Sequence, residues 1–211
     1  MPPARKKRPK RTYPPLSGRI DRHSFDLPIT IGIISDTHIF AGGGSRPFPE
    51  PVVDLFRRFD VGLIVHGGDI VIQAVLDRLA TVAPVLAVHG NNDPLALWQE
   101  LPERIVLSVG PHRIGVVHGH GGPSARVTAT TAFDEPVDLV IYGHSHVPII
   151  EEVDGVVHFN PGSPTDRRWS RHFGIGILTI DERGIRPELI LFDAAAHLAS
   201  IEPQPAPGAD T

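Results

Sequence analysis

Short apolar runs alternate with amphipathic stretches in the first half of the chain. Residues 29–35, 61–65 and 84–88 are rich in Val and Ile and have the length of buried strands. Between these runs, residues 51–59 and 71–80 carry apolar side chains at helical spacing. Strand, helix, strand, helix and strand in this order are typical of a parallel sheet covered by helices.

The second half of the chain has the pattern of hairpins. Turn signals divide three pairs of predicted strands, which are residues 104–109 with 113–117, 149–153 with 156–159, and 175–180 with 185–192. A strand over residues 139–142 and a short helix within residues 124–133 are predicted between the first two pairs. We therefore expect an α/β protein in which two sheets pack face to face with helices outside.

Composition indicates one globular domain. The 211 residues are 41% hydrophobic and 21% charged, and no apolar run approaches the ~18 residues that a membrane span needs. The chain has no cysteine, which excludes disulfides and thiolate ligands. We expect a cytoplasmic protein with no membrane partner. Its domain is predicted over residues 27–195, between a basic disordered arm over residues 1–26 and a flexible tail over residues 196–211.

Positive charge is concentrated near the N-terminus. Residues 1–22 contain eight of the 20 Lys and Arg residues and one acidic residue, which leaves 12 basic and 23 acidic residues elsewhere. Such a segment either contacts nucleic acid or anionic lipid, or is a solvated arm. The acidic remainder argues against a broad nucleic-acid groove. Nucleic acid is therefore a partner that the predicted function allows but does not require.

Side chains that can bind metal ions follow the predicted strands in five short segments. In chain order these are Asp36-Thr37-His38, Gly67-Gly68-Asp69, Gly90-Asn91-Asn92-Asp93, His118-Gly119-His120 and Gly143-His144-Ser145-His146. In an extended segment Asp36 and His38 would share a face and reach one ion together. Residues at the carboxyl ends of strands gather at one edge of an open α/β sheet. Each segment alone is a common turn, but the five together predict a site for divalent cations.

The order of these segments resembles that of the calcineurin-like metallophosphoesterases. The small size and the later Asn160-Pro161-Gly162-Ser163 make residues 29–192 similar to the compact YfcE-type branch of that family. The resemblance implies a four-layer α/β/β/α sandwich of two mixed β-sheets flanked by helices, with a centre of two divalent ions. It implies seven ligands: Asp36, His38 and His146 for one ion, Asn91, His118 and His144 for the other, and Asp69 bridging both.

Carboxylate, amide and imidazole ligands suit several transition metals. We expect Mn²⁺, with Fe, Zn²⁺, Ni²⁺ or Co²⁺ as alternatives. Two such ions make a bridging water nucleophilic and neutralise the charge that develops on a phosphate. The predicted reaction is therefore hydrolysis of a small phosphate ester, with phosphodiesters preferred.

Asn92 and His120 bear on how the leaving group is protonated. Many larger members of the family have a histidine at the position of Asn92, and an amide cannot deliver a proton at neutral pH. This predicts either a preference for good leaving groups or a proton from another residue, for which His120 is the candidate. The alternative role of His120 is to orient a metal ligand. Asp93 can likewise have a structural role, in which its carboxylate bonds the backbone amides of its turn.

Other functions remain open from the sequence. A phosphomonoesterase on the same centre would need a further positive group for the substrate dianion, and Arg167 and Arg168 are the candidates. A protein-binding scaffold resembling the retromer subunit Vps29 would share the fold with little catalysis. All seven predicted ligand positions hold residues that can bind metal, which favours an enzyme. The resemblance also makes a homodimer or homotetramer an expectation.

Overall fold

The computed structural model describes residues 16–40 and 47–203. In chain order, the strands within these residues are β1 (Ile20–Phe25), β2 (Ile29–Ile34), β3 (Leu63–His66), β4 (Val85–Ala87), β5 (Arg104–Val109), β6 (His112–Val117), β7 (Leu139–Tyr142), β8 (Ile149–Val153), β9 (Val156–Asn160), β10 (Phe173–Asp181) and β11 (Gly184–Phe192). The helices are α1 (Glu50–Arg58), α2 (Gln73–Ala80), α3 (Leu95–Glu100), α4 (Ala125–Thr130) and a 3₁₀ helix (Ala195–Ser200).

Two mixed sheets contain all of these strands. The six-stranded sheet has the order β1-β5-β6-β7-β9-β8, and the five-stranded sheet has the order β11-β10-β2-β3-β4. In the five-stranded sheet β2, β3 and β4 are parallel, as the predicted alternation of strands and helices requires. The predicted hairpins form β5–β6, β8–β9 and β10–β11, each of them antiparallel.

Successive side chains of the central strands face different apolar clusters. The three clusters lie between the four layers of the fold. Ile33 faces the cluster between the two sheets, whereas Ile34 faces the cluster formed with helices α1 and α2. Val116 and Val117 divide in the same way between the inter-sheet cluster and the cluster formed with α4. Successive side chains of a strand point to opposite faces, so a strand covered on both faces reads as a continuous apolar run. The predicted α/β/β/α sandwich is confirmed.

The predicted N-terminal arm extends too far into the domain. Residues 20–25 form β1, which pairs in parallel with β5 at the edge of the six-stranded sheet. Arg22 forms an ion pair with Glu135, and Arg19 pairs with Asp21 and bonds the carbonyl of Glu100. Four of the six residues of β1 are polar, because an edge strand on this sheet exposes much of its surface. Residues 1–15 of the predicted arm lie outside the described residues.

The predicted tail also begins too early. Residues 195–200 form the 3₁₀ helix, in which Leu198 is fully buried within the cluster that contains α1. Arg58 of α1 donates to the carbonyl oxygens of Leu198 and Ile201. Residues 204–211 of the predicted tail are not among the described ones. Within the described parts of the chain, no helix combines the length and apolar composition needed to cross a bilayer.

Candidate metal centre

The five predicted ligand segments meet where the carboxyl ends of β2, β3, β4, β6 and β7 come together. Backbone hydrogen bonds fasten neighbouring segments to each other. Asp36 N donates to Gly68 O at 2.9 Å, and His38 N donates to Asp69 O at 3.0 Å. On the other sheet, Gly143 N donates to His118 O at 3.0 Å. The backbones of these segments therefore lie close together at the ends of the strands, as predicted.

Six side chains form two compact groups that could each hold a metal ion. Within each group the ligand atoms all lie within 4.8 Å of one another. The first group is Asp36, His38 and His146, and the second is Asp69, His118 and His144. Five of the six side chains are buried, and His144 is partly buried.

Asp69 lies between the two groups. Its Oδ2 atom is 3.4 Å from Nε2 of His38 in the first group and 3.3 Å from Nε2 of His118 in the second. Within the first group, Nε2 of His146 is 3.3 Å from Asp36 Oδ1 and 3.2 Å from Nε2 of His38. A single carboxylate oxygen therefore faces imidazoles of both groups.

Hydrogen bonds to carbonyl groups set the tautomers of two histidines. Nδ1 of His118 donates to Gly67 O at 2.7 Å, and Nδ1 of His146 donates to Asp166 O. A carbonyl oxygen only accepts, so each Nδ1 carries a proton and each Nε2 is the atom available to a ligand. Among the described residues, the buried Nε2 of His118 has no well-aligned hydrogen-bond partner. Histidines that bind metals are commonly oriented in this way, so these side chains fit divalent ions.

The charges of the site also suit a cation. Burial raises the pKa of Asp36, but contact with His146 and the field of His118 bring it below its usual value. Burial likewise raises the pKa of Asp69, but contact with His118 and bonds from Asn92 bring it well below its usual range. Both carboxylates are therefore ionised at neutral pH. Burial lowers the pKa of His144, so that its imidazole is neutral and can act as a ligand.

Five of the six residues have backbone φ angles in the left-handed region. The φ angles are 54° at Asp36, 45° at His38, 56° at Asp69, 67° at His144 and 58° at His146. The prediction that Asp36 and His38 share a face of an extended segment is therefore wrong in its geometry. Non-glycine residues in this region each cost of order 1 kcal/mol and persist where surrounding contacts fix them, which is common at functional sites.

Asn92 bonds the carboxylate between the two groups. Its backbone N donates to Asp69 Oδ1 at 2.8 Å, and its Nδ2 donates to Asp69 Oδ2 at 2.7 Å. These two bonds fix the direction of Asp69. Asn91 is in the same turn with an exposed side chain, and its role as a ligand stays a prediction.

Asp93 joins the ends of β3 and β4. Its carboxylate accepts from four backbone N–H groups: Asp69 at 3.1 Å, Ile70 at 2.6 Å, Val71 at 2.7 Å and Gly90 at 2.7 Å. The structure thus supports the alternative that Asp93 bonds backbone amides, and extends it to a second segment.

His120 lies beside the second group. Its ring centroid is 5.4 Å from that of His118 and 6.4 Å from that of His144. Burial, followed by the charge of His118, lowers the pKa of His120 to about 4, so its imidazole is neutral at neutral pH. A neutral imidazole can donate a hydrogen bond but is a weak acid. The low pKa argues against His120 as the proton donor, and that role stays a prediction.

Several hydroxyl groups that support the ligands were not predicted from the sequence to do so. Ser35 Oγ donates to Asp36 Oδ2 at 2.7 Å, and Ser163 Oγ donates to Asp36 O at 2.7 Å. His66 accepts from Gly68 N at 3.1 Å, so its Nε2 carries the proton that is shared with Thr37 Oγ1 at 3.2 Å. Isolated Ser and Thr residues carry no sequence signal for such roles. Ser163 does belong to the Asn160-Pro161-Gly162-Ser163 segment, which the family resemblance had singled out.

Comparison with known proteins identifies the family. Residues 29–183 match the calcineurin-like phosphoesterase superfamily domain. The chain belongs to this superfamily. A probable metallophosphoesterase of Methanothermobacter thermautotrophicus is 36% identical over 162 residues, which cover 76% of this chain and 91% of that protein. Phosphodiesterase YfcE of Escherichia coli is 28% identical over 172 residues, which cover 70% of this chain and 85% of that one.

Solved structures show the same fold. Wild-type Vps29 from Entamoeba histolytica, complexed with Zn²⁺, aligns with a TM-score of 0.59 and 24% identity. The alignment covers 78% of this phosphoesterase and all of that chain. The predicted resemblance to calcineurin-like metallophosphoesterases is confirmed. This family implies divalent metal ions, for which the described residues offer two candidate sites.

Proposed function

We propose that the protein is a phosphodiesterase that depends on two divalent metal ions. The observation that carries this proposal is Asp69 Oδ2, which lies 3.4 Å from an imidazole of one candidate group and 3.3 Å from an imidazole of the other. One carboxylate placed in this way can hold two ions close together. Bound there, two ions supply a nucleophilic water near neutral pH and neutralise the charge that builds up on the phosphate.

The chain's own residues hold and orient these ions. Asp36, His38 and His146 would bind one ion, and His118, His144 and Asn91 the other, with Asp69 shared between them. Asn92 and the carbonyl groups of Gly67 and Asp166 would hold the ligands in position before an ion binds. The mixture of oxygen and imidazole ligands favours Mn²⁺, with Fe, Zn²⁺, Ni²⁺ or Co²⁺ as substitutes.

The charges around the centre favour a diester over a monoester. Arg168 donates from Nη1 to His144 O at 3.4 Å, which places its guanidinium beside the second group. One guanidinium matches the single charge of a diester, whereas a monoester dianion is better served by several positive groups. Neither the amide of Asn92 nor a neutral His120 is a good acid. We therefore expect preference for diesters with good leaving groups.

The test compares two chromogenic esters after controlled metal loading. The full chain is stripped with EDTA, reloaded with each metal in turn, and assayed on bis(p-nitrophenyl) phosphate and p-nitrophenyl phosphate. The proposal predicts metal-dependent turnover that is faster on the diester and falls by at least about 100-fold in Asp69→Asn. Asp77→Asn makes the same chemical change on an exposed residue of α2 and is expected to leave the rate unchanged.

The alternatives give different results in the same assay. Faster turnover of p-nitrophenyl phosphate would assign a phosphomonoesterase. Metal-loaded protein that hydrolyses neither ester would favour a protein-binding scaffold. Metal content alone does not separate these cases, because a Vps29 has been solved with Zn²⁺. A cytoplasmic location and a homodimer or homotetramer remain part of this proposal, and nucleic acid is an optional substrate that the assay can include.

A further inference from the structure

The loop that follows β9 is fastened to the ligand segments of the first group. Ser163 Oγ donates to Asp36 O at 2.7 Å, and Thr165 Oγ1 donates to Thr37 O at 2.5 Å. The carbonyl of Asp166 accepts from Nδ1 of His146. Three successive contacts therefore fix the start of this loop against residues that would bind an ion.

A tight turn then brings a guanidinium to the second group. Ser170 N donates to Arg167 O at 2.7 Å, and Arg167 is held by its bond to Arg171 O and by the ring of Phe173 5.5 Å away. Arg168 has a φ of 45°, in the left-handed region. Its Nη1 lies 3.4 Å from His144 O.

The guanidinium of Arg168 is exposed beside the second group, where its contact with the backbone of His144 holds it. It is therefore available to a phosphate that binds at this group. Arginine suits phosphate because its planar fork can donate two parallel hydrogen bonds.

Trp169, the residue that follows Arg168, presents an uncovered indole. Its side chain is 99% exposed, compared with 71% for Leu95 and 56% for Phe40, the next most exposed large apolar residues described. Tryptophan normally buries most of its large surface, so a fully exposed indole one residue from Arg168 offers a free face on which a flat ring can stack. The Cα atoms of consecutive residues are ~3.8 Å apart, which keeps this ring within reach of a group attached to a phosphate on Arg168.

We propose that Arg168 and Trp169 form a recognition pair for nucleoside phosphodiesters, in which Arg168 binds the phosphate and Trp169 stacks on the base. This inference rests on the proposed phosphodiesterase function and names its substrate class. Stacking on an exposed aromatic ring tolerates any base, because every base has a π face. The pair therefore selects substrates that carry a nucleoside, whichever base that nucleoside has.

Two diesters with the same leaving group test the pair in the metal-loaded enzyme. Thymidine 5′-(p-nitrophenyl phosphate) carries a nucleoside, and methyl p-nitrophenyl phosphate does not. We expect Trp169→Ala to lower kcat/KM on the nucleoside ester by about 5- to 150-fold, the factor that matches the ~1–3 kcal/mol of base stacking. The rate on the methyl ester should stay within about twofold, because chemistry at phosphorus is the same.

Further variants separate recognition from a structural role. Trp169→Phe should restore most of the preference for the nucleoside ester, because it retains a stacking ring. Arg168→Ala should lower kcat/KM on both esters, and Arg168→Lys should recover part of that loss. Leu191→Ala removes an exposed apolar side chain from β11 and should change neither rate. Equal losses on both esters in Trp169→Ala, or no loss on either, would overturn the proposal.

A binding measurement keeps the inference distinct from the proposed function. The chain has two tryptophans, so Trp98→Phe leaves Trp169 as the only one. We expect the dinucleotide thymidylyl-(3′,5′)-thymidine to quench the fluorescence of this variant saturably in metal-depleted protein, and Arg168→Ala to weaken that binding. If the wild type hydrolyses no ester but quenching occurs, the proposed function fails and the recognition pair stands. Absence of quenching contradicts the recognition pair itself.

Discussion

Replacing Asp93 with Asn tests whether one carboxylate holds the ends of β3 and β4 together. Asp93 Oδ1 accepts from the N–H groups of Ile70 and Val71, and Oδ2 accepts from those of Asp69 and Gly90. Asparagine has one acceptor oxygen, and its NH₂ group would face two donors whichever way it is turned. Two of the four bonds are therefore lost in Asp93→Asn.

The expected loss of stability can be worked from those bonds. A hydrogen bond to a charged group contributes about 1.5–3 kcal/mol, so two of them give about 3–6 kcal/mol. Burial raises the pKa of Asp93, and so does the charge of Asp69, so removing its charge relieves part of this cost. We take the lower end, about 3 kcal/mol, which lowers Tm by about 6–12 °C for a domain of this size.

The assay is thermal unfolding of EDTA-treated protein followed by circular dichroism. Asp77→Asn is the matched control, since Asp77 is exposed and accepts from Gln73 Nε2 at 3.1 Å within the same helix. That control should shift the free energy of unfolding by no more than about 0.5 kcal/mol. If a folded Asp93→Asn variant loses less than about 2 °C in Tm, the carboxylate of Asp93 does not hold these strand ends together.

Three further predictions follow from the site. Gly143→Ala should weaken metal binding by about 10- to 100-fold, because a Cβ there would lie 2.5 Å from Asp36 Oδ2 and closer still to Ser35 Oγ. The control is Gly62→Ala, whose Cβ would meet only Ile29 at 3.6 Å. Isothermal titration with Mn²⁺ gives the affinity of both variants. Burial lowers the pKa of His66 from 6.5 to about 3, so between these pH values the unfolded chain binds a proton that the folded chain does not. The stability of metal-depleted protein should therefore fall as pH falls, and His66→Gln should remove a slope of about 1.4 kcal/mol per pH unit from urea unfolding measured between pH 5.5 and 4; an unchanged slope contradicts the neutral, buried state of His66. Mn²⁺ at 100 times its Kd should stabilise the protein by about 2.7 kcal/mol for each ion that binds, and Asp69→Asn should lose most of the corresponding rise in Tm.

Strands with continuous apolar runs and hairpins with clear turns could be predicted from the sequence. Residues 139–142 form β7 as predicted, and Asp154-Gly155 closes β8–β9 with φ angles of 52° and 81°. Both angles lie in the left-handed region that favours such residues in a two-residue hairpin turn. Apolar runs and turn residues act locally, so sequence patterns report them well.

Elements held mainly by backbone pairing or by one buried side chain escaped prediction. β1 is an edge strand with polar residues in its middle, and its place is fixed by its parallel register with β5. α3 has six residues, of which Leu97 alone is buried. Neither pattern differs from that of a loop, because the contacts that stabilise these elements come from distant parts of the chain.

For the site, sequence predicted which segments meet but not how their side chains are aimed. Asp36, His38 and Asp69 were placed at one edge correctly because parallel strands end there together. Their left-handed φ angles were not foreseen, since that conformation is unfavourable locally and depends on contacts such as Asp36 N with Gly68 O. The support that Asn92 gives to Asp69 was missed for the same reason, because it joins residues 23 positions apart.

Asp69 is expected to join two ion sites in a single cleft. The decisive measurement is a crystal structure of the Mn²⁺-loaded protein with anomalous difference maps at the manganese edge. We expect two peaks in each chain, one at Asp36, His38 and His146 and the other at His118 and His144, with Asp69 contacting both. One peak, no peak, or two peaks that Asp69 does not join would contradict this expectation.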